Sequence, residues 1–396
     1  VAKRNGFVAL LHEKPFSGLN GSGKHLNWSM QDATGTNYLE PSKSPLKNIN
    51  FLVTIAAVLW GVKNYGDLLR ASVADAGNDH RLGKHEAPPA IMSVYLGEYL
   101  NGILNYIEGI AKPTEKQIAH INLDIQRLPK IARDVADRNR TSPLAFTGNK
   151  FEFRAVGSHQ NCSEAAAVLN LIIAAGFDEI CDRLVQFKGN VKNNVYVVLK
   201  KIINETKDVR YEGNSYSEHW LQEAARRKLP GAVNTPQALR SYQKHNQLFQ
   251  KYNILSQQEI DSKINIKLET YYSLKNIEYK TAVNMVETRF LPAVLTNLNK
   301  LLHAARELNE LGAKLPELDK KIHVMKESYT KISELNSKLR QQNHYEIPEV
   351  LNEAEKMVSK ADKIMNELRV QVDSVEQLIE YSIWPLPAYR EIVSDI

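Results

Sequence analysis

Residues 18–30 read Gly-Leu-Asn-Gly-Ser-Gly-Lys-His-Leu-Asn-Trp-Ser-Met, and two local structures compete for that string. Gly18 to Lys24 has the GxxxxGK spacing that opens a phosphate-binding loop. Such a loop needs Ser or Thr after the lysine to hold Mg²⁺, and it must lead into a helix. Here His25 follows Lys24, and residues 25–30 alternate polar and apolar with the period of a strand. The strand reading puts His25, Asn27 and Ser29 on one face and Leu26, Trp28 and Met30 toward a core. Taken alone, that polar face reads as an ordinary half-exposed strand edge.

Three further segments extend the pattern. In Phe151-Glu152-Phe153-Arg154 the phenylalanines point to a core, while Glu152 and Arg154 point away from it. Asp137-Arg138-Asn139-Arg140 concentrates guanidinium groups, and Asn78 to Pro89 reads as a charged loop closed by paired prolines. Together they offer metal ligands (His25, Glu152), anion clamps (Arg81, Arg140, Lys150, Arg154) and a loop carboxylate (Glu86). Solvated loops and edges remain the alternative for each segment by itself.

The 396 residues carry 51 Lys+Arg against 45 Asp+Glu, a formal charge of +6. That excess suits anionic substrates and is too dilute to argue for nucleic acid. Two cysteines without CxxC spacing cannot build a disulfide framework, which points to a reducing compartment. The longest uncharged run, Asn48 to Val62, is too short to cross a bilayer and reads as a buried helix. The opening residues lack the layout of a signal peptide, and a start at Val1 without Met reads as the middle of a protein, with any targeting segment upstream out of view.

From about residue 256 onward the pattern is helical. Leu315, Leu318, Ile322, Met325, Tyr329 and Ile332 follow a 3-4 alternation, as do Leu351, Ala354, Val358, Ala361, Met365, Leu368, Val372, Val375 and Ile379. Each is the seam of a helix that needs a partner, within the chain or in another subunit, and a helical hairpin is the shortest solution. The prolines of Trp384-Pro385-Leu386-Pro387 are expected to end the last helix and turn the tail back.

In their order, Lys14 to Ser29 (KPFSGLNGSGKHLNWS), Arg81 to Ile91 (RLGKHEAPPAI) and Asp137 to Arg154 (DRNRTSPLAFTGNKFEFR) resemble glutamine synthetase, and with the helical tail most resemble its type III branch. The resemblance implies an α+β fold: a glutamine synthetase-type catalytic domain (antiparallel sheet or partial barrel with helices) over 1–255, a helical extension over 256–382 and a Pro-containing tail over 383–396. It implies ATP-dependent formation of glutamine from glutamate and ammonia through a γ-glutamyl phosphate. By resemblance, His25 and Glu152 are ligands of Mg²⁺ or Mn²⁺. Asn20, Gly21, Arg81 and Arg154 hold glutamate, and Asn27, Ser29, Arg140 and Lys150 contact ATP. Glu86 is the flap carboxylate that helps deprotonate ammonium, and Arg140 assists phosphoryl transfer. A cytoplasmic homo-oligomeric ring, a hexamer or stacked hexamers, goes with the family, without nucleic acid or membrane.

The sequence departs from the pattern in places. Ala145 stands where the family commonly has a second arginine, and Asn27 where its best-known branch has His. No E-x-E carboxylate pair precedes Lys14, so the chain alone is expected to be an inactive portion of the enzyme. Two rivals stay open: an assembly fragment without a complete metal site, and a ligase of the same fold that joins glutamate to another amine.

Overall fold

The computed structural model describes residues 1–7, 9–16, 19–42, 44–83, 87–110, 120–121, 131–132, 141–187, 191–342 and 351–387. They form two units, one of Leu11–Ile264 and one of Val1–Leu10 with Asn265–Ile396.

The first unit runs β1 (Gly23–Trp28), α1 (Ile49–Ala71), α2 (Ala76–Arg81), β2 (Val94–Tyr95), α3 (Gly97–Glu108), β3 (His120–Ile121), β4 (Ile131–Ala132), β5 (Leu144–Phe146), β6 (Phe151–Gly157), then α4 (Ser163–Val185), α5 (Val191–Glu205), α6 (Glu218–Arg226), α7 (Thr235–Lys244) and α8 (Asn246–Lys251). Four strands make one sheet in the order β1-β6-β5-β2. β1 and β5 both lie antiparallel to β6, but β2 lies parallel to β5. The sheet is therefore mixed rather than wholly antiparallel, because the long crossover through α3 brings the chain back in the same direction. Among the described residues it is open, with no barrel closure. The chain is mostly helical, and the sheet is small.

β1 is the strand that its alternation predicts, which removes the phosphate-loop alternative: no helix follows Lys24. The region 78–89 departs from its reading as a loop. Asp75 accepts a hydrogen bond from Gly77 N and starts α2, so Asn78 to Arg81 are helical, with Asn78 and Arg81 buried.

The core is dominated by α1 against α4. The run from Asn48 does form a buried helix, started by the Asn48 side chain accepting from Phe51 N. α1 and α4 are antiparallel and nearly touch main chain to main chain. A Cβ on Gly61 would lie 2.5 Å from Ile172 O, and one on Gly176 would overlap Ala57 O. At that separation no side chain fits between the helices.

The second unit contains most of α9 (Gln257–Met285), which continues through a π-helical turn, Val286–Phe290, into α10 (Leu291–Glu310). Pro292 has no N–H to donate to the preceding turn, a common origin of such a turn. α11 (Pro316–Gln341) and α12 (Leu351–Glu376) complete it. Of the seam from Leu351 to Ile379, all but the half-buried Met365 are buried. It packs with Met325, Ile332, Leu335 and Leu339 of α11, so the seam finds its partner inside the chain. The α11 seam is buried only from Met325 onward, and Leu315 is exposed. α12 stops at Glu376, ahead of the prolines, and Trp384 stacks on Phe290 with ring centroids 5.3 Å apart. Among the described residues no helix is long and apolar enough to cross a membrane.

Candidate functional site

The β1–β6 ladder carries the site. Asn27 pairs with Glu152, and Trp28 with Phe151, so alternate residues of both strands share a face. Between the pairs Lys24–Val156 and Leu26–Phe153 the register slips, so that Arg154 and Ala155 together oppose His25. His25 and Asn27 are exposed, Glu152 is half-buried, and Phe151 and Phe153 are buried on the other side.

On this face His25 Nδ1 lies 2.9 Å from Glu152 Oε1. Arg154 grips the other oxygen, Oε2, through Nε at 3.0 Å and Nη2 at 2.7 Å. Partial burial pushes the Glu152 carboxyl up, but the hydrogen bonds and charges of Arg154 and His25 outweigh it and hold the group below its ordinary value. The result is a carboxylate fixed in its charged form beside an accessible ring nitrogen. One nitrogen and one oxygen donor at that spacing fit a divalent cation.

Arg81 lies beneath. Its Nη2 donates to Arg154 O at 2.9 Å, and its Nη1 to Asn78 Oδ1 at 3.1 Å and Val156 O at 3.3 Å. Burial lowers its pKa, while the charges of Glu13 and Tyr216 act the other way. The Gly/Asn loop sits directly on this guanidinium. A Cβ on Gly23 would overlap it, and one on Gly21 would lie 3.3 Å from Arg81 Cγ and 2.7 Å from Glu13 O. The glycines thus serve close approach of main chain to arginine. Asn20, exposed, heads that loop.

Ser29 and Lys150 are placed at the far end of the ladder, away from this cluster. Ser29 Oγ donates to Asn37 Oδ1 at 2.8 Å and to Asn149 O at 3.2 Å, and Asn37 Nδ2 donates to Asn149 O at 2.9 Å. Lys150 closes the β5–β6 turn, its carbonyl accepting from Thr147 N. Among the described residues Asn27 reaches only its own strand, donating to His25 O at 3.4 Å. Ala145 is buried opposite Glu152 and brings no charge there. Glu86 and Arg140 lie outside the described residues.

Sequence reading alone missed Asn37 and Asn149, which tie the loop after β1 to the β5–β6 turn. Their signal was weak: single asparagines in turn-rich text.

The face therefore joins a nitrogen–oxygen donor pair, His25 and Glu152, to two buried guanidinium groups, Arg81 and Arg154. Residues 194–309 match the family described as the glutamine synthetase C-terminal domain. A glutamine synthetase of Bacteroides fragilis (strain YCH46) is 35% identical over 412 residues, covering 99% of this chain and 56% of the relative. The type-3 glutamine synthetase of Dictyostelium discoideum is 34% identical over 411 residues, with 99% and 55% covered. A glutamine synthetase of Butyrivibrio fibrisolvens is 35% identical over 416 residues, with 99% and 57% covered. The chain is thus similar along nearly its whole length to glutamine synthetases, a type-3 enzyme among them, and spans about half the length of the curated relatives it matches.

Proposed function

We propose that this chain supplies the metal-and-nucleotide side of a glutamate–ammonia ligase, within a protein that forms glutamine from glutamate, ammonia and ATP. The observation that carries this is the His25–Glu152–Arg154 cluster, held over Arg81 and the Asn20–Gly23 loop in a homologue of glutamine synthetases. His25 and Glu152 would hold Mg²⁺ or Mn²⁺, which when bound supplies charge neutralisation at the phosphates. The rest of the chemistry rests on the chain's own groups.

Arg154 keeps Glu152 ionised, so this carboxylate can take a cation without losing a proton first. Arg81 and Arg154, with Asn20 and Gly21, border the glutamate, where a planar fork of donors suits a carboxylate. Asn27, Ser29, Lys150 and Arg140 line the nucleotide side. Arg140 and Lys150 stabilise the charge that builds as the γ-carboxylate attacks the γ-phosphoryl group. Glu86 takes a proton from ammonium and covers the acyl phosphate against water. A cytoplasmic homo-oligomeric ring belongs to the same reading.

The test is product analysis in the full-length protein with glutamate, ATP, Mg²⁺ and a panel of amines. Glutamine and ADP formed in equal amounts, with ammonium as the preferred amine, support the reading. Preference for another amine moves the assignment to a different ligase of the fold. Absence of any amide product overturns it.

A further inference from the structure

Away from the β1–β6 face, three side chains from three segments converge over Gly77. Glu13 precedes the Gly/Asn loop, Asp75 starts α2, and His159 lies in the turn between β6 and α4. His159 Nδ1 is 2.8 Å from Glu13 Oε1, and its Nε2 is 3.3 Å from Asp75 Oδ1. The His159 backbone N–H also donates to Glu13 Oε1 at 3.3 Å. One ligand atom from each residue lies within 4.8 Å of the other two.

A second observation is independent of that spacing. Glu13 is only 2% exposed, and among the described residues its Oε2 has no hydrogen-bond partner. This oxygen is aimed into the cluster. A Cβ on Gly77 would lie 2.8 Å from it, 3.1 Å from His159 Cε1 and 3.4 Å from Asp75 Oδ1. Gly157 clears the opposite side, where a Cβ would overlap Glu13 Oε1. A buried carboxylate oxygen without a donor is costly, and two carboxylates facing one imidazole are short of positive charge. Arg81 offsets part of it through space, but its Nη1 and Nη2 donate to Asn78 and to β6 carbonyls.

We propose that Glu13, Asp75 and His159 bind a divalent cation of the Zn²⁺ or Mn²⁺ class, at a site separate from His25 and Glu152. One imidazole nitrogen with two carboxylate oxygens suits these ions better than Ca²⁺ or Mg²⁺, which favour all-oxygen sets. The half-exposed His159 provides the way in and leaves room for water as a further ligand. Oε2 of Glu13 gains the partner it lacks.

The site would act as a staple. Glu13 O accepts from Ser22 N at 2.8 Å, so whatever fixes Glu13 also fixes the Asn20–Gly23 loop. Asp75 and His159 tie that point to the start of α2 and the end of β6. The inference does not depend on the reaction proposed above.

Equilibrium dialysis of the purified full-length protein against Zn²⁺ or Mn²⁺ alone tests it, in a His25→Ala/Glu152→Gln background that removes the other donor pair. His159→Gln should abolish one equivalent of bound ion or weaken it at least about 100-fold, and Glu13→Gln should do the same. His303→Gln, at an exposed histidine of α10, should change nothing. With Co²⁺ as the probe, the visible absorption of a coordinated ion should disappear in His159→Gln. Should Glu13→Gln fail to fold, His159→Gln and Asp75→Asn decide, since both side chains are partly exposed. Unchanged stoichiometry and affinity in His159→Gln, or no uptake of either ion by the background protein, overturns the proposal.

Discussion

His25 and Glu152, 127 residues apart in sequence, meet with Nδ1 and Oε1 separated by 2.9 Å. The register slip on β6 puts two residues opposite His25. Its ring therefore reaches the carboxylate diagonally across the ladder, while Asn27 takes the directly paired position. Arg154, the first of those two residues, supplies the opposing charge. One backbone irregularity thus assembles three charged or ligating groups on one face.

The depressed pKa of Glu152 has a definite sign in acid. A carboxyl that is more acidic folded than unfolded contributes stability above its ordinary value of 4.5, and loses it as pH falls through the lower folded value. Thermal melting of parent and Glu152→Gln should therefore differ at neutral pH and converge in that acid range. Acidic groups elsewhere, such as Asp67 with His245 and Lys244, are common to both and cancel. A difference between the two proteins that is constant across pH would contradict the linkage.

Substitutions on the face should separate binding from later chemistry. His25→Ala and Glu152→Ala are expected to weaken Mn²⁺-nucleotide binding by at least about tenfold, as loss of metal-site groups typically does. Glu86→Ala should leave that affinity within about twofold and reduce glutamine formation, because a proton acceptor for ammonium acts after phosphoryl transfer. Fluorescent-nucleotide titration and product assay read the two effects separately. Equal loss of affinity in Glu86→Ala and Glu152→Ala would remove the division of roles.

Gly176→Ala should lower stability by about 1–3 kcal/mol, the usual cost of forcing a methyl group into a filled interior. Its Cβ would overlap Ala57 O on the facing helix, which cannot move aside like a side-chain tip. Gly35→Ala meets open space but has φ +85°, so its cost is backbone strain alone and should be smaller. Urea unfolding of the two variants ranks them, and an unchanged midpoint for Gly176→Ala would contradict the close packing.

In the helical unit, replacing Leu368 and Val372 together with Asp buries charge in the seam between α11 and α12. A loss of several kcal/mol is expected, on the order of what unpaired buried polar groups cost. Limited proteolysis should open the region after residue 351. Metal and nucleotide affinity at the β1–β6 face should stay the same, and a drop in either would tie the tail to the site.

How far the residues announce this arrangement depends on the range of the interactions. The His25 to Met30 alternation defines a strand and its exposed face without outside help, and the 3-4 spacing from Leu351 to Ile379 defines a buried seam. Arg81 is different. Its segment looks like a charged loop because charge and paired prolines dominate the local text. The helix forms because Asp75 caps it and Asn78 donates both to the nearby Val73 O and to Ala155 O, 77 residues on. The guanidinium is buried because β6 presents carbonyls to it. The parallel placement of β2 is equally silent, since its partner β5 lies beyond a long crossover. Glu13 reads as one more charge beside Lys14 until His159, far along the chain, is brought against it.

The contact of α1 with α4 is one of backbone on backbone. Main chain resting on main chain cannot be tightened or relaxed by a change of rotamer. The helices that follow the two site strands are joined there, one after β1 and the other after β6. Both site strands therefore run on into one pair of helices whose spacing is set by main chain alone.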